Sequence, residues 1–345
     1  MTHRPLAIAV IAVSFLLAGC AATPAPAETI ATVSPSPTAT TAPTSAAAPK
    51  VPFGGDCSTV LPADVAADIF DGGSPTISAM SYVRGVMPDV SGSIAQLGGL
   101  ACTWGSEGSQ IRYLGIVVVP LEAVPAELLA ARNTFGCYGW SICGRGEVRS
   151  GMWVLAETPQ LQQPDEAPSE EEARLLESVV DQSISSVFAR PQAEFAGFAT
   201  KPAEDWWSLP PCEALEPAAT QAAGMTTPEP GFPGDNVPEG PTWDVLEGAG
   251  IVRWCPWYEI MDQASLITEL HLLSGVGVPS DEQLRVADAE PTVIPGADAA
   301  YRFVEEHSDG DRSTEILAVV GPNRLLVRGD QSEAVAAAVI AVLAR

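Results

Sequence analysis

Lysine and histidine are nearly missing from this chain. Its 345 residues include two Lys, Lys50 and Lys201, and three His, His3, His271 and His307. Basic residues number 17 against 43 acidic ones, a formal charge of −26. So negative a surface repels phosphate backbones and excludes nucleic acid as a partner. Without a polybasic cluster, nothing can hold anionic lipid headgroups. Three histidines leave little for imidazole catalysis or zinc. Gly-rich phosphate loops, His-Glu-x-x-His, Gly-x-Ser-x-Gly and Ser-x-x-Lys are absent, so no cofactor and no catalytic residue is expected. Hydrophobicity is not lacking. At 46% apolar and 17% charged, the chain can build cores, which a disordered acidic chain cannot. Its length suggests about two domains.

The apolar stretch Leu6–Leu17 is too short to span a bilayer but fits the core of a signal peptide. It ends in Leu17-Ala18-Gly19-Cys20, which resembles the lipobox of bacterial lipoproteins. That resemblance implies cleavage before Cys20 and a diacylglycerol on its thiol. Residues 1–19 are then a signal peptide, and the partner is the membrane, reached through lipid on the extracytoplasmic face. Stable anchoring takes about two acyl chains. Residues 21–50 contain ten Ala, ten Ser/Thr and six Pro, a composition that favours an extended tether over a core.

Six cysteines remain: Cys57, Cys102, Cys137, Cys143, Cys212 and Cys255. In an exported protein they imply disulfides, with fifteen connectivities open to six. An internal repeat narrows the choice. Pro62 follows Cys57, and Pro217 follows Cys212, by the same five positions, and each proline is expected to open a helix. Cys102-Thr103-Trp104 and Cys255-Pro256-Trp257 then recur at similar intervals. The repeat pairs Cys57 with Cys102 and Cys212 with Cys255, and leaves Cys137 and Cys143 to close a small loop. Trp104 and Trp257 are expected to pack on the neighbouring disulfides.

Strand-like runs follow each Cys-x-Trp, at Ile111–Val119 and Leu266–Leu273. Others lie at Met152–Ala156, Ala300–Glu306 and Glu315–Val320, with turns at Ser308–Asp311 and Gly321–Asn323. Each half closes with a helix. One begins at Ser169 with Glu172 three residues on, the other near Asp330 with Glu333 in the same place, both capping-box patterns. Leu176, Val180, Ile184 and Val187 make an apolar stripe on the first. The second, Ala334–Leu343, is apolar nearly all round and should be buried or docked on the other half. The expected fold is therefore α+β: two related modules, each an antiparallel sheet flanked by an N-terminal and a C-terminal helix. They should occupy 51–190 and 206–345, joined by a linker at 191–205. The pattern resembles a family of uncharacterised actinobacterial lipoproteins with an early Cys and a later Cys-x-Trp. That implies an exposed envelope domain and carries over no catalytic residue.

Candidate binding residues are aromatic. Tyr138 and Trp140 sit in the Cys137–Cys143 loop, either as a recognition tip or buried over a sheet edge. Trp206 and Trp207 precede the second module, as a partner contact or as a wedge between modules. Glu269 and His271 alternate with leucines and read as a solvent-facing strand face. His307, Asp309 and Asp311 lack the spacing of a metal motif. The Gly/Pro-rich stretches 71–99 and 226–250 read as long loops. The second carries Glu229, Asp235, Glu239, Asp244 and Glu247 without one base. The expected function is a membrane-anchored envelope lipoprotein whose modules bind a small ligand or an envelope protein. The alternatives are an envelope hydrolase using a carboxylate pair, or a cation-binding surface protein.

Overall fold

The computed structural model describes residues 50–80, 89–138, 142–161, 167–191, 194, 203–232, 238–260, 265–306 and 312–344. The lipobox, Cys20, the tether, Trp140 and the His307-to-Asp311 turn lie outside these. Residues 48–345 form one compact unit containing two antiparallel sheets, so the chain is α+β.

The first module runs α1 (Ala63–Ile69), β1 (Thr76–Ala79), α2 (Val90–Gln96), β2 (Leu100–Gly105), β3 (Tyr113–Pro120), α3 (Ala126–Ala131), β4 (Gly136–Tyr138), β5 (Ile142–Arg149), β6 (Met152–Pro159) and α4 (Glu170–Ala189). The second runs α5 (Cys212–Ala223), β7 (Glu229–Pro230), α6 (Pro241–Gly248), β8 (Val252–Ile260), β9 (Ser265–Leu273), α7 (Asp281–Val286), β10 (Glu290–Thr292), β11 (Ala299–Glu306), β12 (Arg312–Val320), β13 (Asn323–Gly329) and α8 (Ser332–Leu343). The sheet orders are β1-β2-β3-β6-β5-β4 and β10-β11-β12-β13-β9-β8-β7. Read from the Cys-x-Trp strand, the two are the same, with β10 added at one edge of the second. The repeat is therefore one of topology as well as of cysteines.

One face of each sheet packs on its terminal helices. In the first module Cys102, Trp104, Ile116 and Val154 meet the α4 stripe of Leu176, Val180, Ile184 and Val187. In the second Cys255, Trp257, Leu270 and Ile316 meet Leu215 of α5 with Val335 and Val339 of α8. The apolar helix α8 thus docks on its own sheet and on α5, not on the other module. Disulfides join Cys57 to Cys102, Cys137 to Cys143 and Cys212 to Cys255. The second of these links directly opposed residues of β4 and β5. Trp104 and Trp257 share the buried clusters of the adjacent disulfides, as expected.

Three local expectations change. Pro217 lies inside α5, which starts a turn earlier after Pro211; the helix there gives up the hydrogen bond that a proline cannot donate. Pro62, by contrast, does stand at the entrance to α1. The second closing helix has no capping box: Gln331 occupies its N-cap with no side-chain bond, and Glu333 pairs with Arg302 instead. Stretches 71–99 and 226–250 are not simple loops. Each holds a short strand and a helix, β1 with α2 and β7 with α6. These two helices bring the modules together. Val90 and Ile94 of α2 join Trp243, Val245 and Leu246 of α6 in a buried cluster. The same cluster takes in Val117 and Trp153 from the first sheet and Val252 and Leu273 from the second.

Candidate functional site

A cavity of about 800 Å³ opens in the first module where the turn before β3, the end of β6 and the start of α4 converge. Ten residues, 160–169, separate β6 from α4 in sequence, and two, 330–331, separate β13 from α8. Ser109, Gln110 and Arg112 form one wall, Gln160 and Leu161 a second, and Glu171, Glu172 and Leu175 a third. Asp71 fixes the first wall by accepting from the Ser109 hydroxyl and the Gln110 N–H, both at 2.9 Å. Those two bonds hold its carboxyl below the ordinary range. Glu172 is fixed twice. Its N–H donates to Ser169 Oγ at 3.2 Å, and its Oε1 accepts from Leu161 N–H at 2.6 Å. Ser169 therefore caps α4 as expected, but the Glu172 carboxylate turns to β6 instead of closing the box. Its other oxygen, Oε2, and Gln160 Oε1 are buried with no partner.

The second sheet carries a polar row where solvent was expected. Glu269, Arg328 and Glu315 are direct cross-strand neighbours on β9, β13 and β12. Arg328 donates to Glu315 at 2.8 Å and to Glu269 at 3.4 Å. Glu269 and His271 are 3% and 0% exposed. The strand alternates as read, but its second face is covered: Trp243 of α6 stands edge-on to His271. Burial pushes the His271 imidazole below its ordinary value, against the pull of Glu269. For Glu269, burial works upward, yet His271, Arg328 and the Trp254 N–H outweigh it and lower the carboxyl. The two Glu carboxylates are thus tied through an arginine.

One ion pair ties the modules together. Arg324 of β13 pairs with Asp89, and both are 3% exposed. Arg324 also donates to the Val276 and Gly277 carbonyls, and Asp89 caps α2 by accepting from Gly92 N–H at 3.0 Å. Within the first module Tyr138 donates to Glu157 at 2.8 Å, with the Arg132 guanidinium 3.7 Å over its ring. Glu157 keeps some exposed surface, but its carboxyl is enclosed. Burial raises it, against Tyr138 and Arg132. Asp244 of α6 is likewise raised by burial, against Arg132.

Tyr138 therefore lies over the sheet, one of the two placements open to it. Trp206 and Trp207 are half-buried and pinned to the second module. Asn323 accepts from Trp207 N–H at 2.9 Å, and Ser274 donates to the Trp207 carbonyl at 2.9 Å. Trp206 joins the cluster shared by both modules, a wedge. Its ring lies over Gly275, where an added Cβ would fall 2.3 Å away. Two acids of stretch 226–250 find partners outside it: Tyr258 donates to Glu229, and Arg253 lies 3.7 Å from Glu247, whereas Glu239 Oε1 is buried without one. Among the described residues no three His, Cys, Asp or Glu cluster as for a metal ion, and no helix is long and apolar enough to cross a membrane. Sequence reasoning missed Asp89, Arg132, Glu157, Gln160 and Arg324. Only Glu172 carried a signal, the Ser-x-x-Glu spacing, and that spacing spoke for a cap. No family model, curated protein or solved structure matches this chain.

Proposed function

We propose that this chain is a lipid-anchored, extracytoplasmic envelope protein that binds a small ligand in the cavity of its first module and catalyses no reaction. The anchor rests on the lipobox and the Ala/Pro/Thr tether. The binding role rests on one observation: a cavity of about 800 Å³, within the usual size range of ligand pockets, whose lining mixes Arg112, Gln160, Glu171 and Glu172 with Leu161 and Leu175. One carboxylate pair that hydrolysis could have used, Glu269 and Glu315, speaks against it. Both are buried and bound to Arg328, which leaves neither free to take or give a proton at a substrate.

Native mass spectrometry of the full chain, extracted from its own membrane, tests both parts. The expected spectrum shows cleavage before Cys20, diacylglycerol on its thiol, three disulfides and a small non-covalent adduct that Leu175→Trp abolishes. An unacylated chain overturns the anchor. An adduct indifferent to Leu175→Trp, or none at all, overturns the cavity.

A further inference from the structure

We infer that the Cys137–Cys143 bridge is a redox switch: thiol–disulfide exchange at Cys137 releases β4 and lifts Tyr138 off Glu157. Among the six bridged cysteines, Cys137 is the exposed one. Cys57, Cys102, Cys143 and Cys255 are buried, and Cys212 is half-buried. Exchange needs a thiolate to reach a sulfur, so exposed bridges are the labile ones and buried bridges resist. The fold also makes β4 depend on this bond. Counted from the Cys-x-Trp strands, β4 occupies the place that β11 takes in the second sheet. Eight residue pairs hold β11 to β12, but three hold β4 to β5. So short an edge strand is marginal by itself, and the bridge joins its middle pair, Cys137 opposite Cys143. The second module keeps the same strand order without a matching bridge, so the architecture does not require one.

What the bridge secures is the side chain beside it. Tyr138 points to the sheet face opposite Cys137, where it donates to Glu157 at 2.8 Å under the Arg132 guanidinium. Its ring also stands beside Gly240, the N-cap of α6, where an added Cβ would lie 4.0 Å from Cε2. Release of β4 therefore hydrates the Glu157 carboxylate and takes a first-module side chain away from the entrance of α6. The electrons come from a dithiol. Its thiolate attacks Cys137 Sγ, the Sγ–Sγ bond breaks, and Cys143 leaves as a thiolate that takes a proton from water. The second thiol of the reductant then displaces Cys137, which is protonated in turn. Two electrons and two protons pass to the chain, and the dithiol becomes a disulfide.

Graded reduction of the full chain in non-ionic detergent at neutral pH, with dithiothreitol as the dithiol, tests the switch. Alkylation followed by peptide mass spectrometry should find Cys137 and Cys143 opening about ten-fold or more faster than the other two bridges. With the monothiol 2-mercaptoethanol and an acid quench, the first mixed disulfide should sit on Cys137. Hydrogen exchange of the selectively reduced chain should then show residues 136–138 and 142–144 losing protection while β2, β3 and β6 keep theirs. Cys137→Ser with Cys143→Ser should reproduce that exchange pattern without reductant, and the reduced native chain gives the same reading should the variant misfold. Equal opening rates for the three bridges, a first adduct on Cys143, or a β4 that stays protected after reduction would each overturn the switch.

Discussion

The two modules share a strand order, a disulfide from the entry segment to the Cys-x-Trp strand and a closing helix, yet they treat their surfaces differently. In the first, α4 is 20 residues long and capped by Ser169, and a cavity opens at its start. In the second, α8 has 12 residues and follows β13 after two residues. The first sheet turns an apolar face to the seam, with Val117, Val119, Trp153 and Leu155. The second adds the Glu269–Arg328–Glu315 row beside its apolar residues. A duplicated fold therefore does not imply duplicated surfaces: the shared core maintains the architecture, while the connections between its elements differ in length.

The largest expected effect comes from breaking the seam. Asp89→Ala strips the partner from a buried arginine and removes the α2 cap, which should cost about 3–5 kcal/mol. Calorimetry should show one melting transition in the native chain and two in the variant, one per module. A single transition at the native temperature would show that the Asp89–Arg324 pair contributes nothing to the coupling. Asp89→Leu with Arg324→Met should restore most of the loss.

The disulfides come next. Removing the Cys57–Cys102 or Cys212–Cys255 pair by double Ala substitution should cost about 4 kcal/mol in either module, because the loops of 45 and 43 residues are nearly equal. The loop of the Cys137–Cys143 bridge is much shorter, with a separation of 6, and its removal should cost about 2 kcal/mol. Denaturant midpoints of the three variants measure the ranking.

The polar groups predict opposite pH responses. His271 has a folded value below its unfolded 6.5, so its contribution is complete above pH 6.5 and is lost as pH falls. Stability should drop by at most about 1.4 kcal/mol per pH unit on its account, and His271→Gln should flatten that limb. Glu157 has a folded value above its unfolded 4.5, so its contribution is present in acid and lost as pH rises. Glu157→Gln should therefore stabilise the chain at pH 8 relative to pH 5. Urea titrations from pH 5 to 8 check both signs. The smallest contrast is between the caps. Ser169→Ala should cost about 1 kcal/mol, while Gln331→Ala, which removes no cap bond, should be near neutral by the same measurement.

Much of the fold was legible because it is local or repeated. The α4 stripe, the β3 and β9 runs and the cysteine pairs all follow from period and spacing. Glu269 and His271 were misplaced because alternation reports that a strand has two unlike faces, not what covers the second. Helices α2 and α6, of seven and eight residues, are shorter than the windows in which helical period shows. The site was illegible for a different reason. Its walls come from residues 109–112, 159–161 and 169–175, and the seam pair is 235 positions apart. Only folding brings such residues together.

The arrangement of the three disulfides has a mechanical consequence. Each begins and ends within one module, so the segments 57–102 and 212–255 cannot lengthen under tension. Among the described residues, only noncovalent contacts and the connecting chain cross the seam. A chain loaded between its two ends parts there first, into two halves that each keep their strand register. When the load is removed, Asp89 and Arg324 have only to meet again.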